Sequence, residues 1–557
     1  MLKEEIENIL FLDKIPFETN GISSELLNAY DEFILDNETS LDFVSSEVFN
    51  IYSKFVSMRR EAPEGMKNEL FRIIKSYIKE KVAEEKFIDG LFLQRFLIMK
   101  SRLQAASYYD IAEIFSKLND NKLAKEFLKL YEQYETNKPL KLLSLGNFYN
   151  LQLKEYKNAI KYYEQYLKID ETKAVIYTIL AGLYAKEYGE FSLKDQVYYF
   201  EKAYRLKPDE RLVLHGLAFG YEKLGDIKNA AKFYQKILGN NPTNTDYYNY
   251  GAFLISCGKF QEGHKFLTYR FNIDDKNLKY PVLTSKGIKW DLKSDISDKT
   301  LLVHYEQGFG DTFMYCRFVP YLKSMAKKVI FVVQDELFEL IQSSKIFEGI
   351  KIISDKLNLD ELEFDVHMAL LDAPFVCKVD SCNMPFTDKY LDVDEILVQK
   401  YAKKYLGGSG HLKVGISCQG NKSANYNSRD IDFSRFNRLF NIKNIDYYSF
   451  SLDDNSDERV ISLGKTFENF TDTACALKNM DIIISTDNVI LNLAGALGVK
   501  TYGLFNKYPN FRWFKLNGDN VGWYESVTPI QVEENNCWSD VLSELVKILS
   551  KYSKNNF

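Results

Sequence analysis

Cysteine is sparse in this chain of 557 residues, and its seven cysteines never form a C-x-x-C pair. Neither a zinc knuckle nor a disulfide framework is therefore expected, and all seven are predicted to be reduced. No run of about 18 apolar residues occurs, so no membrane span is expected. The first segment, MLKEEIENILFLDK, is acidic throughout and has no long apolar stretch, which predicts no signal peptide and a cytoplasmic location.

A strong excess of charge is also absent, because the net charge is only −6. This value argues against general binding of nucleic acid or of anionic membranes. The five histidines do not cluster and no D-x-D lies at a plausible strand end, so no metal site is predicted. Aromatic residues are abundant, with 38 Tyr and 40 Phe, which suits helical repeats whose rings fill the space between helices.

The first half of the chain repeats itself with a period near 34 residues. Large residues recur at this period at Phe115, Tyr149, Tyr184, Tyr221 and Leu254. Small residues follow nine or ten positions later at Ala124, Ala159 and Ala230. Because Pro208 and Pro242 end their units, the pattern predicts helix pairs, and it resembles the tetratricopeptide repeat over 105–271.

Tetratricopeptide arrays form superhelices whose concave face binds peptides or proteins, so the repeats are predicted to hold a protein partner. A spacer or a surface for homo-oligomerisation is the alternative. The unit at 184–208 departs from the pattern, with extra residues at 189–193 and Gln196 where a small residue belongs. Residues 1–104 are predicted to be helical, at 43–58 and 69–82 above all, without an assigned role.

From about residue 298 onward, short β-branched or aromatic runs alternate with helical segments, which predicts α/β domains. The expected parallel strands of a first sheet are 300–305, 328–333, 349–354 and 365–370, and those of a second are 413–418, 446–451, 481–486 and 499–505. The linker LGGSGH (406–411) separates the two series. Two such Rossmann-like sheets form a cleft, and ligands bind at the carboxyl ends of the strands. The predicted domains are 1–104, 105–275, 285–405 and 411–557.

Candidate site residues follow three of the predicted strands. EQGFGD (306–311) is a glycine turn that places the Asp311 carboxylate beside a helix N-terminus, where it either faces the cleft or caps the helix. Residues 486–488 open a second helix, where they can contact phosphate or sugar, or act as N-caps. In the loop 419–430, Lys422 and Arg429 are candidate phosphate partners.

Two facing sheets suit a GT-B glycosyltransferase, and they also suit other two-domain enzymes and binding proteins. The motifs decide between these classes. GKFQEGHKFLTYRF (258–271), EQGFGDTFMYCRFVPYL (306–322), the segment 470–498, FRWF (511–514) and WYES (523–526) stand in the order and spacing of one bacterial family. The chain resembles this family, in which tetratricopeptide repeats are fused to a heptosyltransferase-like glycosyltransferase, over 258–540. The architecture is also similar to that of O-linked N-acetylglucosamine transferases.

The resemblance implies a metal-independent, inverting transfer of a sugar to a protein, with a nucleotide-sugar as co-substrate and no cofactor. Relatives include flagellin glycosyltransferases that use nonulosonic acid donors, which makes flagellin a candidate acceptor. Asp311 would act as general base. The donor would be contacted by Gly308, Gly310, Gln419, Lys422, Arg429, Thr486, Asp487, Asn488 and Asn492. Glu306 and Gln307 would orient the acceptor or hold the turn, and Arg317 would face either solvent or the cleft.

Two departures from the family pattern leave alternatives open. The family has Asp-Thr and a His four residues later where this chain has Asp487-Asn488 and Asn492, and it has Trp-Ser-Gly where this chain has Cys-Gln-Gly at 418–420. Asn cannot supply a positive charge, so the donor can differ or catalysis can be weaker. The alternatives are a non-catalytic scaffold with a ligand-binding pseudo-transferase domain, and a transferase that acts on a saccharide and uses its repeats for assembly.

Overall fold

The computed structural model describes residues 23–36, 64–99, 105–272, 288–357, 361–420, 429–452, 457–514, 518–532 and 538–555. The predicted helix at 43–58 and the loop residue Lys422 lie outside these ranges. The chain divides into two compact units, 1–220 and 221–557. Within the described ranges, six cysteines are free and no helix is long and apolar enough to cross a membrane.

The first unit is helical. Its helices are α1 (Ser24–Asp36), α2 (Glu64–Ala83), α3 (Phe87–Met99), α4 (Ala105–Lys117), α5 (Asn121–Tyr134), α6 (Lys138–Leu151), α7 (Tyr156–Leu167), α8 (Ala174–Tyr188), α9 (Leu193–Leu206) and α10 (Arg211–Lys223), which runs into the second unit. The predicted small residues Ala124 and Ala159 are fully buried, as close packing of each helix pair requires. Gln196 fits at its small-residue position because its amide donates to Gly189 O and Ser192 Oγ, both at 3.0 Å.

Tyrosines join neighbouring repeats through the partly buried carboxylate of Glu164. Glu164 accepts hydrogen bonds from Tyr184 at 2.8 Å and from Tyr199 at 2.7 Å. Each ring fills space between helices while its hydroxyl keeps a partner, which is the condition for burying tyrosine at low cost. This packing accounts for the high tyrosine content of the array.

The second unit begins at Tyr221, inside the segment 105–275 that is predicted from the sequence as repeats. Its first helices are α11 (Ile227–Leu238), α12 (Asn244–Ser256) and α13 (Phe260–Leu267). The backbone N–H of Phe260 donates to Asp380 Oδ1 at 2.9 Å, and the Phe260 ring lies 5.3 Å from the Trp523 ring. The last repeat is therefore part of the same hydrophobic core as the α/β region.

Two parallel sheets form the α/β region, and each carries helices on its connections. The first lobe contains β1 (Ile288–Lys289), β2 (Ile296–His304), α14 (Phe309–Tyr315), α15 (Val319–Leu322), β3 (Ala326–Val333), α16 (Asp335–Ser343), β4 (Lys351–Ser354), β5 (Val366–Ala369), α17 (Ala373–Val376) and α18 (Glu395–Tyr405). The second lobe contains β6 (Leu412–Ser417), β7 (Ile445–Ser449), β8 (Val460–Ser462), α19 (Phe470–Lys478), β9 (Ile482–Thr486), α20 (Val489–Ala496), β10 (Thr501–Phe505), β11 (Val527–Gln531) and α21 (Trp538–Asn555). The strand order is β1-β5-β2-β3-β4 in the first lobe and β11-β10-β9-β6-β7-β8 in the second.

The predicted fold class is confirmed: a helical repeat array precedes an α/β region with two parallel, Rossmann-like sheets, which is consistent with a GT-B-like fold. All eight predicted strands occur, and the short strands β1 and β8 and the edge strand β11 were not predicted.

Arg317 joins the two lobes. It is fully buried, and its Nη1 donates to the backbone oxygens of Trp523 at 2.7 Å and Phe386 at 3.2 Å. The guanidinium also lies 4.4 Å from the Tyr390 ring. The prediction that Arg317 faces solvent or the cleft is therefore wrong, because carbonyl oxygens and rings of the interior take up its charge.

Candidate active site

The glycine turn of the first lobe follows β2 and brings Asp311 into the first turn of α14. Gln307 has φ 67°, a left-handed conformation that reverses the chain between strand and helix. Asp311 is the third residue of the helix, and its Oδ2 accepts a hydrogen bond from the exposed Gly308 N–H at 3.1 Å. This bond is the capping role that the sequence offers as an alternative.

The other oxygen of Asp311 points to the second lobe. Oδ1 lies 2.7 Å from Nη2 of Arg512, in the segment that follows β10. Both side chains stay partly accessible, at 17% for Asp311 and 19% for Arg512. Burial lowers the pKa of Arg512, but the Asp311 carboxylate, together with smaller contributions from Tyr315, Tyr248 and Asp487, raises it above its ordinary value. Asp311 thus both caps its helix and forms an ion pair between the lobes.

Two predicted donor contacts, Thr486 and Asn488, lie where β9 ends and α20 begins. Both are buried. Asn488 caps α20, since its Oδ1 accepts from the Ile490 N–H at 2.9 Å and its Nδ2 donates to Ser417 Oγ at 3.0 Å. Its side chain therefore already satisfies part of the first helical turn, which fits the N-cap alternative.

Asp487, between them, contacts other parts of the second lobe. Its Oδ2 lies 3.8 Å from Nη1 of Arg429, and the Trp513 side chain lies close to its carboxylate. Burial raises the pKa of Asp487, and the attraction of Arg429 and the nearby Trp513 side chain partly offset the rise. Because Trp513 follows Arg512 directly, one short segment contacts both Asp311 and Asp487.

Asn492 and Gly310 lie where α14 packs on α20. Tyr524 donates from its hydroxyl to Asn492 Oδ1 at 3.0 Å, and Asn492 Nδ2 donates to Asn488 O at 3.1 Å. A Cβ at Gly310 would come within 3.1 Å of Asn492 Nδ2, so glycine lets the two helices approach closely. Both residues are predicted from the sequence to contact the donor, and in this structure both take part in packing between the lobes.

Glu306 lies in a buried cluster of charges. Arg270 donates from Nε to Glu306 Oε2 at 2.7 Å and from Nη1 to Asp372 Oδ1 at 2.6 Å, and its Nη2 contacts the other oxygen of Glu306. The Leu371 N–H donates to Glu306 Oε1 at 3.1 Å. Burial lowers the pKa of Arg270, but the two carboxylates raise it above its ordinary value. This geometry favours the alternative in which Glu306 holds the turn.

The roles assigned to Gln307, Gln419 and Lys422 stay predictions. Gln307 is partly exposed within the glycine turn, and Gln419 is exposed two residues after the end of β6. Lys422 lies outside the described residues. Among the side chains that the structure describes, no three His, Cys, Asp or Glu residues are grouped closely enough to hold a metal ion.

Three charged residues at the site, Arg270, Arg512 and Asp372, were not predicted from the sequence. Arg270 lies in the segment 258–271 and Arg512 in the segment 511–514, and both segments resemble motifs of the repeat-fused family. The presence of an arginine in each motif could therefore have indicated both residues. Asp372 stands in none of these motifs, and only the fold brings it to Arg270.

His264 on α13 is a buried histidine close to this region. It is fully buried, and neither ring nitrogen has a hydrogen-bond partner among the described residues. Its ring lies 5.7 Å from that of Tyr315, whose buried hydroxyl also lacks a partner there. Burial lowers the pKa of His264 to about 3, with smaller contributions from Arg270 and Arg512.

Substituting His264→Phe should flatten the acid dependence of stability. An unfolded histidine titrates near 6.5 and the folded one near 3, so the folded state binds fewer protons between these values. The contribution of His264 to the free energy of unfolding is therefore complete above pH 6.5. Below that pH it falls by about 1.4 kcal/mol for each pH unit. The measurement is the fall in Tm from pH 7.5 to 5.5, which should be smaller in the variant. An equal fall in both chains, or the same change in the exposed control His411→Phe, would contradict this assignment.

Comparison with known protein families supports the prediction of tetratricopeptide repeats in the helical half of the chain. The model of the tetratricopeptide repeat family matches residues 105–134, 142–173 and 213–244. These segments are three of the helix pairs described above. The first half of the chain thus carries tetratricopeptide repeats.

Similar whole proteins are distant. Protein FlbA of Caulobacter vibrioides is 20% identical over 395 residues, which are 64% of this chain and 64% of that protein. The chain therefore spans just under two thirds of the length of this relative. A glycosyl transferase of family 9 from Veillonella parvula is 10% identical, covers 47% of this chain and 92% of its own, and has a TM-score of 0.33. The C-terminal part of a repeat-containing protein from Cytophaga hutchinsonii is 15% identical, covers 45% of this chain and 96% of its own, and has a TM-score of 0.32.

Proposed function

We propose that this chain is a glycosyltransferase that moves a sugar from a nucleotide-sugar donor onto a polypeptide held by its tetratricopeptide repeats. The observation that carries the proposal is the position of Asp311. Its carboxylate leaves the glycine turn of the first lobe and points to the second lobe, where Arg512 lies 2.7 Å away. A base on one lobe that faces the strand ends of the other is the arrangement that transfer across a cleft requires.

The proposed reaction inverts the anomeric carbon in one step. Asp311 takes the proton of the acceptor hydroxyl while that oxygen bonds to the anomeric carbon. The bond from this carbon to the donor phosphate breaks, and its electron pair remains on the phosphate oxygen. Cationic side chains of the second lobe stabilise the charge that develops there, and Arg429, 3.8 Å from Asp487, is one of them. Lys422 is proposed as a further phosphate partner.

The repeats supply the proposed acceptor site, because tetratricopeptide arrays bind polypeptides on their concave face. The resemblance of 258–540 to the repeat-fused family points to flagellin as acceptor and to an activated nonulosonic acid as donor. The reaction is proposed to take place in the cytoplasm.

One observation favours a second candidate, a scaffold that binds a ligand without turnover. Asn488 occupies amide groups at the start of α20, and both oxygens of Asp311 have partners. In a scaffold these contacts would persist when a nucleotide binds, whereas in a transferase the ion pair of Asp311 must open.

The test uses the purified full-length chain and a panel of UDP-, GDP- and CMP-sugars. A transferase should release the free nucleotide from one of them slowly in water and faster with a polypeptide acceptor. Tight binding of a nucleotide without any release would support the scaffold. Faster release with a small saccharide only would support the reading in which the repeats serve assembly. Absence of binding to every member of the panel would contradict the proposal.

A further inference from the structure

Arg512 stands at the centre of the charged groups between the lobes. Its Nη2 pairs with Asp311 at 2.7 Å, and its Nη1 donates to Asn510 Oδ1 at 3.2 Å. The side chain of the next residue, Trp513, lies close to that of Asp487. The segment that follows β10 therefore brings a permanent cation to the carboxyl edge of the second sheet, where ligands of such sheets bind.

The guanidinium has donor capacity that its protein partners do not use. Its Nε is buried and has no hydrogen-bond partner among the described residues. Such an unpaired donor is costly unless a ligand or water accepts from it. A phosphate group suits this position, because arginine can donate to two phosphate oxygens at once.

We propose that Arg512 binds the donor phosphate, and that in the free chain it is held by Asp311. Arrival of the phosphate moves the arginine from the carboxylate to the phosphate oxygens and leaves Asp311 free to accept the acceptor proton. The inference rests on the proposed glycosyltransferase function and assigns this residue a role there.

The charges of the site favour this exchange. A donor phosphate offers several acceptor oxygens, and in a diphosphate donor it also carries more charge than one carboxylate, so it competes well for a guanidinium. Asp311 loses its counter-ion at the same moment and gains a negative neighbour, and both changes make it a better proton acceptor. It also keeps the hydrogen bond from Gly308, which fixes its position. The base is thus released only when a donor is in place.

The experiment measures dissociation constants of the full-length chain by calorimetry. The probes are UDP, GDP and CMP, with uridine, guanosine and cytidine as matched ligands without phosphate. For the nucleotide that the wild type binds, Arg512→Met should weaken binding at least tenfold and leave the affinity for its nucleoside unchanged. Arg459→Met is the control, because Arg459 is an exposed arginine of the same lobe paired with Asp457.

A second variant tests the competition with Asp311 and does not depend on the folding of the first. Asp311→Asn keeps an oxygen for the Gly308 N–H but removes the charge, so it should tighten nucleotide binding severalfold. The tightening should vanish in the double variant with Arg512→Met. Unchanged nucleotide affinity in Asp311→Asn, or in a folded Arg512→Met chain, would overturn this role of Arg512 while leaving the transferase proposal intact. A wild type that binds none of the three nucleotides would overturn both.

Discussion

Replacing Arg270 by Met is expected to destabilise the second unit by roughly 3–5 kcal/mol. Arg270 is fully buried, and it is the group that pairs with both Glu306 and Asp372. Without it, two carboxylates remain together in the interior, and each opposes the ionisation of the other. The same substitution removes the link between the last repeat and the glycine turn, since Arg270 follows α13 and Glu306 follows β2.

Tryptophan fluorescence measures this effect directly. The tryptophans of the chain are Trp290, Trp513, Trp523 and Trp538, and all four belong to the second unit. Their unfolding transition in urea should shift strongly in Arg270→Met. Glu306→Gln should shift it less, by about 1–3 kcal/mol, because one arginine and one carboxylate remain paired. The exposed control Arg459→Met should unfold like the wild type. A normal transition in Arg270→Met would show that the cluster does not hold the glycine turn.

Asp311→Asn is expected to lower the rate of sugar transfer by about 10²- to 10⁴-fold, the usual contribution of a general base. Asn has nearly the same shape and can still accept from the Gly308 N–H, so the fold should be preserved. The measurement is turnover with the nucleotide-sugar and acceptor that the wild type uses. The exposed control Asp298→Asn should retain full activity. Full transfer activity in Asp311→Asn would exclude this residue as the base.

The same variant separates the transferase from the scaffold. In a scaffold, Asp311 only caps α14 and pairs with Arg512, so its loss would change stability or ligand affinity without any turnover to lose. In the transferase, nucleotide binding persists or tightens while transfer falls. Because nucleotide binding is retained while sugar transfer falls, partial unfolding of the variant would not explain this result.

The strands could be predicted because burial on both faces of a parallel sheet leaves a continuous apolar run in the sequence. Strand β9, IIIST, is fully buried and was easily recognised. Strand β11 was missed because VTPIQ contains a proline and only two of its five residues are buried, as its position at a sheet edge allows. The three residues of β8 are too few to carry a pattern.

The site could be predicted only where its signal is local. The glycine turn and the start of α20 each lie within a few residues of sequence, so Asp311 and Asn488 were candidates from the pattern alone. Arg270 pairs with a carboxylate 102 residues away, and Arg512 pairs with Asp311 across the two lobes. No local pattern encodes such pairings, because they depend on how the lobes pack. The local pattern did not decide whether Asn488 caps α20 or contacts a ligand, because asparagine suits both roles.

The most direct test of the proposed sugar transfer is to measure the mass of the polypeptide that the chain itself binds. The full-length chain and its Asp311→Asn variant would be purified from the native cell together with their bound polypeptide, and the intact mass of that polypeptide would be measured. The account predicts sugar-sized mass increments on the polypeptide bound to the wild type and their loss with the variant. Equal increments with both chains, or an unmodified polypeptide with both, would contradict it.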